Sequence, residues 1–330
     1  MTRHLLDMTA AQLRQALADA GHKPYRADQL ADWVYRKGVT DQAAMTNVPH
    51  ALAEQFPTLT ARVAARADST DGTCKLLLEY PDGQRVETVL ICASARATAC
   101  LSTQVGCGMG CAFCASARGG LGRNLTGGEI LEQVLHLQQQ AERTVTNAVF
   151  MGMGEPLANY RATLSAIGGL CDADRFGLSA RRVTVSTVGL PRQIRRLARE
   201  APPVTLAISL HAPNDALRAE LIPPAGRIPL AEVLDAARAF YRAHKREITL
   251  EYVLLAGVND TNVCAEALAR LAGSLRCNVN LIRYNPVPSL PFRAPGEQDV
   301  DAFAARLRKR GVNVTVRRSR GADTDAACGQ

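Results

Sequence analysis

Residues 100–114 read CLSTQVGCGMGCAFC, with cysteines at Cys100, Cys107, Cys111 and Cys114. The last three are spaced C-x3-C-x2-C, and Cys100 stands upstream, out of step with them. Gly106, Gly108 and Gly110 let the backbone wrap closely around a bound group. Three thiolates on one loop are ligands for zinc or for an iron–sulfur cluster. A closed zinc site takes four ligands, whereas a four-iron cubane held by three cysteines leaves one iron open. Spacing alone leaves both readings standing.

Outward from this loop, strands and helices alternate. Strand candidates are 98–103, 147–151, 182–187, 204–210, 248–255, 278–283 and 312–317. Thr126-Gly-Gly-Glu129 is a capping box opening a helix that continues through Ile130, Val134 and Leu137. Further helical stretches lie near 159–171, 190–200, 229–244, 262–275 and 297–310. Repeated β-α units predict a parallel sheet. No G-x-G-x-x-G follows the first strand, and polar residues recur at the C-terminal ends of several strands. That combination points to a curled, barrel-like sheet.

Upstream, CKLLLEY and QRVETVLIC are strand-like runs joined by Pro81-Asp82-Gly83, a hairpin turn. The first sixty residues read as helices. Thr9-Ala-Ala-Gln12 is a capping box, Leu13, Ala16, Leu17 and Ala20 form an apolar stripe, and Gly21 is a stop. A second helix holds Leu30, Trp33 and Val34. The expected fold is α/β, a partial (β/α)6 TIM-like barrel with a helical accessory domain and a β-hairpin extension. Its expected divisions are residues 1–62 for the accessory domain, 63–94 for the hairpin, 95–320 for the barrel and 321–330 for a tail.

The chain has 330 residues, 47% of them apolar, enough for a large core. No run of eighteen apolar residues occurs, and MTRHLLDMTAAQ contains no signal-peptide core, so the protein is expected in the cytoplasm. In a reducing compartment, clustered cysteines suggest metal ligands or catalytic thiols. Of the ten cysteines, Cys74, Cys92, Cys171, Cys264 and Cys277 lie mostly in apolar surroundings and read as small core residues. Cys328 differs, standing in the polar tail GADTDAACGQ. A net charge of +8 with pI about 9.1, carried by 34 arginines and five lysines, suits a polyanion such as RNA. Arg123, Arg283, Arg317, Arg318 and Arg320 are candidates for that contact, though each also reads as a solvated arginine.

C-x3-C-x2-C after the first barrel strand resembles the signature of radical S-adenosylmethionine (SAM) enzymes. Gly154-Glu155-Pro156, within MGMGEP, resembles their Gly-Glu-Pro motif. The stretches GRNLTGGEI, FMGMGEPL, VTVSTVG, ISLHAP, LAGVND, LIRYNP and DTDAACGQ follow in order. Together they resemble the RlmN/Cfr family of radical SAM RNA adenosine methyltransferases over roughly residues 85–330. The N-terminal helices fit that family's accessory, RNA-binding domain less specifically.

The resemblance implies Cys107, Cys111 and Cys114 as ligands of a [4Fe–4S] cluster whose open iron takes SAM. Gly154, Glu155, Ser186, Ser209, Leu210, His211 and Asn285 match SAM-binding positions, with the Glu155 carboxylate placed to pair with the SAM ammonium. Glu87 matches an acid/base carboxylate. Plainer readings exist for several: Glu155 as a helix N-terminal acid, Ser186 as a helix cap, His211 as a structural histidine and Glu87 as a solvated strand residue.

The resemblance also implies the reaction. Adenine C2 and C8 are electron-poor and do not attack the SAM methyl in the polar way. One SAM methylates Cys328, and a second yields a 5′-deoxyadenosyl radical that removes hydrogen from the Cys328 methyl. The resulting carbon radical adds to adenine, and Cys100 takes the proton and closes a disulfide with Cys328. Pro156 favours the C2 (RlmN-type) over the C8 (Cfr-type) enzyme. Implied partners are 23S rRNA and tRNA and an electron donor such as flavodoxin or ferredoxin, with no membrane and a monomeric chain. A zinc-containing RNA-binding protein and an activase of a glycyl-radical enzyme are the rival classes. The activase leaves Cys100 and Cys328 without a task.

Overall fold

The computed structural model describes residues 4–49, 52, 55–141, 143–317, 320–324, 326 and 329. Near the N-terminus, α1 (Ala10–Asp19) is opened by the expected reciprocal cap. Thr9 Oγ1 accepts the Gln12 N–H at 3.2 Å, and Gln12 Oε1 accepts the Thr9 N–H at 2.9 Å. Its stripe of Leu13, Ala16 and Leu17 is buried, and Gly21 takes the left-handed φ of +80° that lets the chain turn off. Helix α2 (Tyr25–Ala31) runs straight into a wider turn, Asp32–Arg36, which carries Trp33 and the buried Val34.

Three antiparallel strands follow: β1 (Arg62–Asp68), β2 (Cys74–Glu79) and β3 (Arg85–Ala93). The β2–β3 pair is the expected hairpin, with Gly83 at φ +76° in the turn. Strand β1 is an addition. It lies at the sheet edge, its burial pattern lacks clean alternation, and its charged residues protect an open flank.

Strand β4 (Arg96–Cys100) pairs antiparallel with β3 on one side. A separate small hairpin, β5 (Gln104–Gly106) and β6 (Leu121–Asn124), comes next. Then strands β7 (Asn147–Phe150), β8 (Val183–Thr187), β9 (Thr205–Ser209), β10 (Ile248–Leu254), β11 (Cys277–Arg283) and β12 (Val314–Arg317) continue from β4, every neighbouring pair parallel. Helices α3 (Gly127–Ala141), α4 (Tyr160–Cys171), α5 (Pro191–Glu200), α6 (Asp215–Leu221), α7 (Leu230–His244), α8 (Asn262–Gly273) and α9 (Glu297–Lys309) fill the crossovers. From β4 to α9 the chain thus makes six β/α units, and β12 is a closing seventh parallel strand.

Helix α3 starts at the expected capping box: the Glu129 N–H donates to Thr126 Oγ1 at 3.1 Å, and the Thr126 N–H donates to Glu129 Oε2 at 2.8 Å. Its first eleven residues are buried, because the N-terminal segment packs over it. Glu132, 0% exposed, accepts from Thr60 N at 2.6 Å, Thr60 Oγ1 at 3.0 Å and Ala61 N at 3.3 Å. Asp7 Oδ1 accepts the Gly128 N–H at 2.6 Å. The accessory segment is therefore held on α3 by the buried Glu132 and by Asp7, as well as by leucines such as Leu5 and Leu6, each contributing about 1.5–3 kcal/mol on burial. Among the described residues, no helix is long and apolar enough to cross a membrane.

Candidate active site

One cavity opens at the C-terminal ends of the parallel strands, where barrel enzymes place their chemistry. It is lined from β3 (Glu87, Val89), β4 (Cys100), β8 (Ser186), β9 (Ser209), β10 (Glu251) and β12 (Arg317). Both ends of the run contribute, so the sheet curls around a common interior. Cys107, Cys111 and Cys114 line the same cavity, as do Gly154, Glu155 and His211. So do Ala326 and Gly329 from the tail.

The cysteine loop hangs from the β5–β6 hairpin, which sequence reading did not foresee. Its stem is closed by the Cys107 N–H donating to Gly120 O at 2.8 Å. Gly106 sits there at φ +70°, and a Cβ on it would lie 2.0 Å from Gly120 O. Two more backbone bonds fix the loop: the Ala112 N–H reaches Leu221 O at 2.9 Å, and the Ala115 N–H reaches Gly329 O at 3.0 Å. Burial pushes all three thiols up, Cys111 most, and Cys111 also feels the charges of Cys114 and Cys107.

Among the described residues, no three His, Cys, Asp or Glu side chains converge as ligands of a single ion. A polynuclear cluster has a different requirement, since each thiolate binds its own iron and the sulfurs stand apart. Three neighbouring thiols facing one cavity, proton-holding until a metal displaces the proton, suit that donor geometry.

Glu155 is buried at 3% exposure and has a task within the protein. Its Oε1 accepts the Leu157 N–H at 2.9 Å and its Oε2 the Val188 N–H at 2.8 Å, tying the loop after β7 to the loop after β8. Burial nonetheless pushes its carboxyl up to about 7. Gly154 precedes it at φ +99°, where a Cβ would lie 2.6 Å from the Gln104 Cβ. Ser186 Oγ and Ser209 Oγ are 3.2 Å apart. His211 takes the left-handed φ of 57°, rare for a non-glycine residue, and its Nδ1 accepts the Val253 N–H at 3.0 Å. Burial first, and Arg218 second, hold that imidazole down at about 3, so it is neutral.

Glu87 pairs with Lys75 at 3.1 Å, and its backbone is fixed by Ser102 Oγ donating to Glu87 O at 2.5 Å. The Met153 N–H donates to the same Ser102 Oγ at 2.8 Å, which couples the hairpin to the Gly-Glu-Pro loop.

The family model described as "Radical SAM superfamily" matches residues 101–267, and that described as "Ribosomal RNA large subunit methyltransferase N-terminal domain" matches residues 3–61. A curated relative from Rhodopirellula baltica, named "Probable dual-specificity RNA methyltransferase RlmN", is 45% identical across 99% of this chain and 90% of its own length. One of the same name from Thermosynechococcus vestitus is 45% identical across 99% and 97%. The chain belongs to the RlmN family. The crystal structure of a radical SAM methyltransferase from Sphaerobacter thermophilus superposes with a TM-score of 0.96, at 46% identity, covering 99% of this chain and 98% of that one.

Against the expectations drawn from the RlmN resemblance, Cys100, Glu87, Cys107, Cys111, Cys114, Gly154, Glu155, Ser186, Ser209 and His211 meet at one cavity. Leu210 and Asn285 are not among its lining residues. The Leu210 side chain, 0% exposed, packs into the core, because strand alternation sends it opposite to Ser209. Asn285 is 7% exposed in the turn after β11. Cys328 and Arg318 lie outside the described residues.

Sequence reading missed Glu251 in this RlmN-family cavity and Arg218 on the helix that packs against its cysteine loop. Glu251, 5% exposed, accepts from Asn280 Nδ2 at 2.7 Å, and burial holds its carboxyl above the ordinary range. An acid inside the apolar run ITLEYVLL was the available signal. Arg218, 1% exposed, gave none: arginine on a short helix reads as surface.

Proposed function

We propose that the protein methylates C2 of a specific adenosine in 23S rRNA and in tRNA, by radical chemistry that passes through a methylated Cys328. The observation carrying this reading is the single cavity lined together by the three loop cysteines, Cys100, Glu87 and the tail residues Ala326 and Gly329. Gly329 adjoins Cys328 in sequence, so the tail's anchorage on Ala115 favours delivery of that thiol to Cys100. Membership of the RlmN family and Pro156 after Glu155 favour C2 over C8.

Cys107, Cys111 and Cys114 would hold a [4Fe–4S] cluster, with SAM beside Gly154, Ser186, Ser209 and His211. Cluster and SAM together supply a carbon-centred radical. The rest falls to the chain. Neutral His211 and the paired serines offer uncharged hydrogen-bonding groups at the strand ends. Glu87, paired with Lys75 and lining the same cavity as Cys100, would exchange a proton there. Once the adduct has returned one electron to the cluster, Cys100 would take the substrate proton as a thiolate, pass it on, and bond to the Cys328 sulfur as the S–CH2 bond breaks and the released methylene gains a proton, which requires Cα atoms about 4.4–6.8 Å apart. The target base must leave its stack to reach this interior. A low-potential donor such as flavodoxin or ferredoxin would supply electrons, to a monomer in the cytoplasm.

The test is anaerobic protein with rRNA or tRNA, reductant and SAM, with and without Cys328→Ala, followed by mass spectrometry of the digested RNA. The reading expects 2-methyladenosine from the wild type and none from the variant. 8-Methyladenosine would place the protein with the Cfr-type enzymes, and a colourless protein rich in zinc would make it a binding protein.

A further inference from the structure

Helix α6 lies directly beneath the cysteine loop. Its last residue, Leu221, accepts the Ala112 N–H, and Leu221, Ile222 and Phe113 form one apolar cluster against which Cys111, Cys114 and Leu217 pack. Arg218 projects from this helix into that packing. The guanidinium donates one bond, from Nη2 to Val188 O. Its Nε and Nη1 are buried with no hydrogen-bond partner among the described residues. An arginine stays charged even when burial lowers its pKa, and a buried cation with unmet donors is costly. Its electrostatic neighbours are Asp215, Cys111 and His211. Asp215 already accepts the Leu230 N–H through Oδ1 at 2.7 Å. The His211 Nδ1 is likewise occupied, accepting the Val253 N–H at 3.0 Å.

We infer that Arg218 is a positioning residue for the cysteine loop, a buried counter-charge whose two unmet donors are satisfied only when the thiolate-bound cluster is in place. The inference rests on the cluster reading above. It follows that a cluster of three thiolates, which carries net negative charge that grows on reduction, is stabilised by this cation, most in the reduced state. Net charge and hydrogen bonds to sulfur are what set such potentials.

The experiment compares full-length wild type, Arg218→Met and Arg218→Lys after anaerobic reconstitution with iron and sulfide. It reads iron and sulfide per chain, the midpoint potential by EPR-monitored titration, and the unfolding temperature of each apoprotein. Arg218→Met is expected to load less iron or to be reduced at a more negative potential. Its apoprotein should unfold no lower than the wild-type apoprotein, because an unsatisfied buried charge has gone. Arg218→Lys should stay near the wild-type potential. An unchanged loading and potential in Arg218→Met overturns the inference. So does an Arg218→Met apoprotein that fails to fold or melts lower, the behaviour of an arginine that serves packing alone. A wild type that takes up no iron and sulfide overturns the cluster reading and this inference with it, whereas a wild type that loads while Arg218→Met matches it overturns the inference alone.

Discussion

Glu155 and Val188 are joined across two loops, the carboxylate Oε2 accepting the Val188 N–H at 2.8 Å. The other oxygen is taken by Leu157, so both oxygens must accept. A glutamine has one acceptor and one donor there. Glu155→Gln should therefore leave one buried N–H unmet and cost about 1–3 kcal/mol by chemical denaturation. Its pH dependence has a definite sign. Burial raises the folded carboxyl from the ordinary 4.5 to about 7, so unfolding releases a proton between these values. The contribution is fully present below 4.5 and lost as pH rises through 7. The wild-type apoprotein should lose stability across that window relative to the glutamine variant.

His211 titrates in the opposite sense. Its folded value lies near 3 against an ordinary 6.5, by burial and then by Arg218. The neutral ring stabilises the fold in full above 6.5, and that contribution is lost as pH falls toward 3. The imidazole signals should stay still between about pH 8 and pH 5 in NMR of the folded protein. A ring that titrates near 6.5 would contradict the burial.

Two glycines should resist substitution for steric reasons. Gly154→Ala would set a Cβ 2.6 Å from the Gln104 Cβ, and Gly106→Ala would set one 2.0 Å from a backbone oxygen, both at positive φ. Each should cost about 1–3 kcal/mol or more in denaturation experiments, with Gly106→Ala the worse because a backbone atom yields less than a side chain.

Glu132 should prove a joint between the accessory segment and the barrel. Glu132→Ala strips the acceptor from Thr60 and Ala61 at a fully buried position, at a cost of about 3 kcal/mol or more. Hydrogen exchange should quicken across residues 5–61 and in α3, while the cysteine loop keeps its protection.

Much of this was readable because local chemistry and tertiary demand agree. Thr9–Gln12 and Thr126–Glu129 are caps in sequence and caps in space. The apolar runs at 204–210 and 248–255 are buried on both faces, as parallel strands require. The β5–β6 hairpin was hidden because three- and four-residue strands carry no periodicity, and glycines at its stem read as loop. Glu155 lines the cavity, as a ligand-facing residue would, and its second task of tying two loops together was not legible. No local pattern reveals which backbone N–H will lack a partner after folding. The charge of Arg218 was visible, but its burial depends on where the loop after β8 and the cysteine loop come to rest.

Strand β4 has hydrogen-bond partners on both edges, β3 on one and β7 on the other. A minimal enzyme made by starting the chain at residue 95 would expose the first edge as a row of unpaired amides and carbonyls, open to self-association. It would also lose the wall carrying Glu87 and Val89. For protein engineering, the indivisible unit is therefore longer than the barrel: a graft onto another RNA-binding module has to carry β1–β3 with it, and the natural cut lies before Arg62.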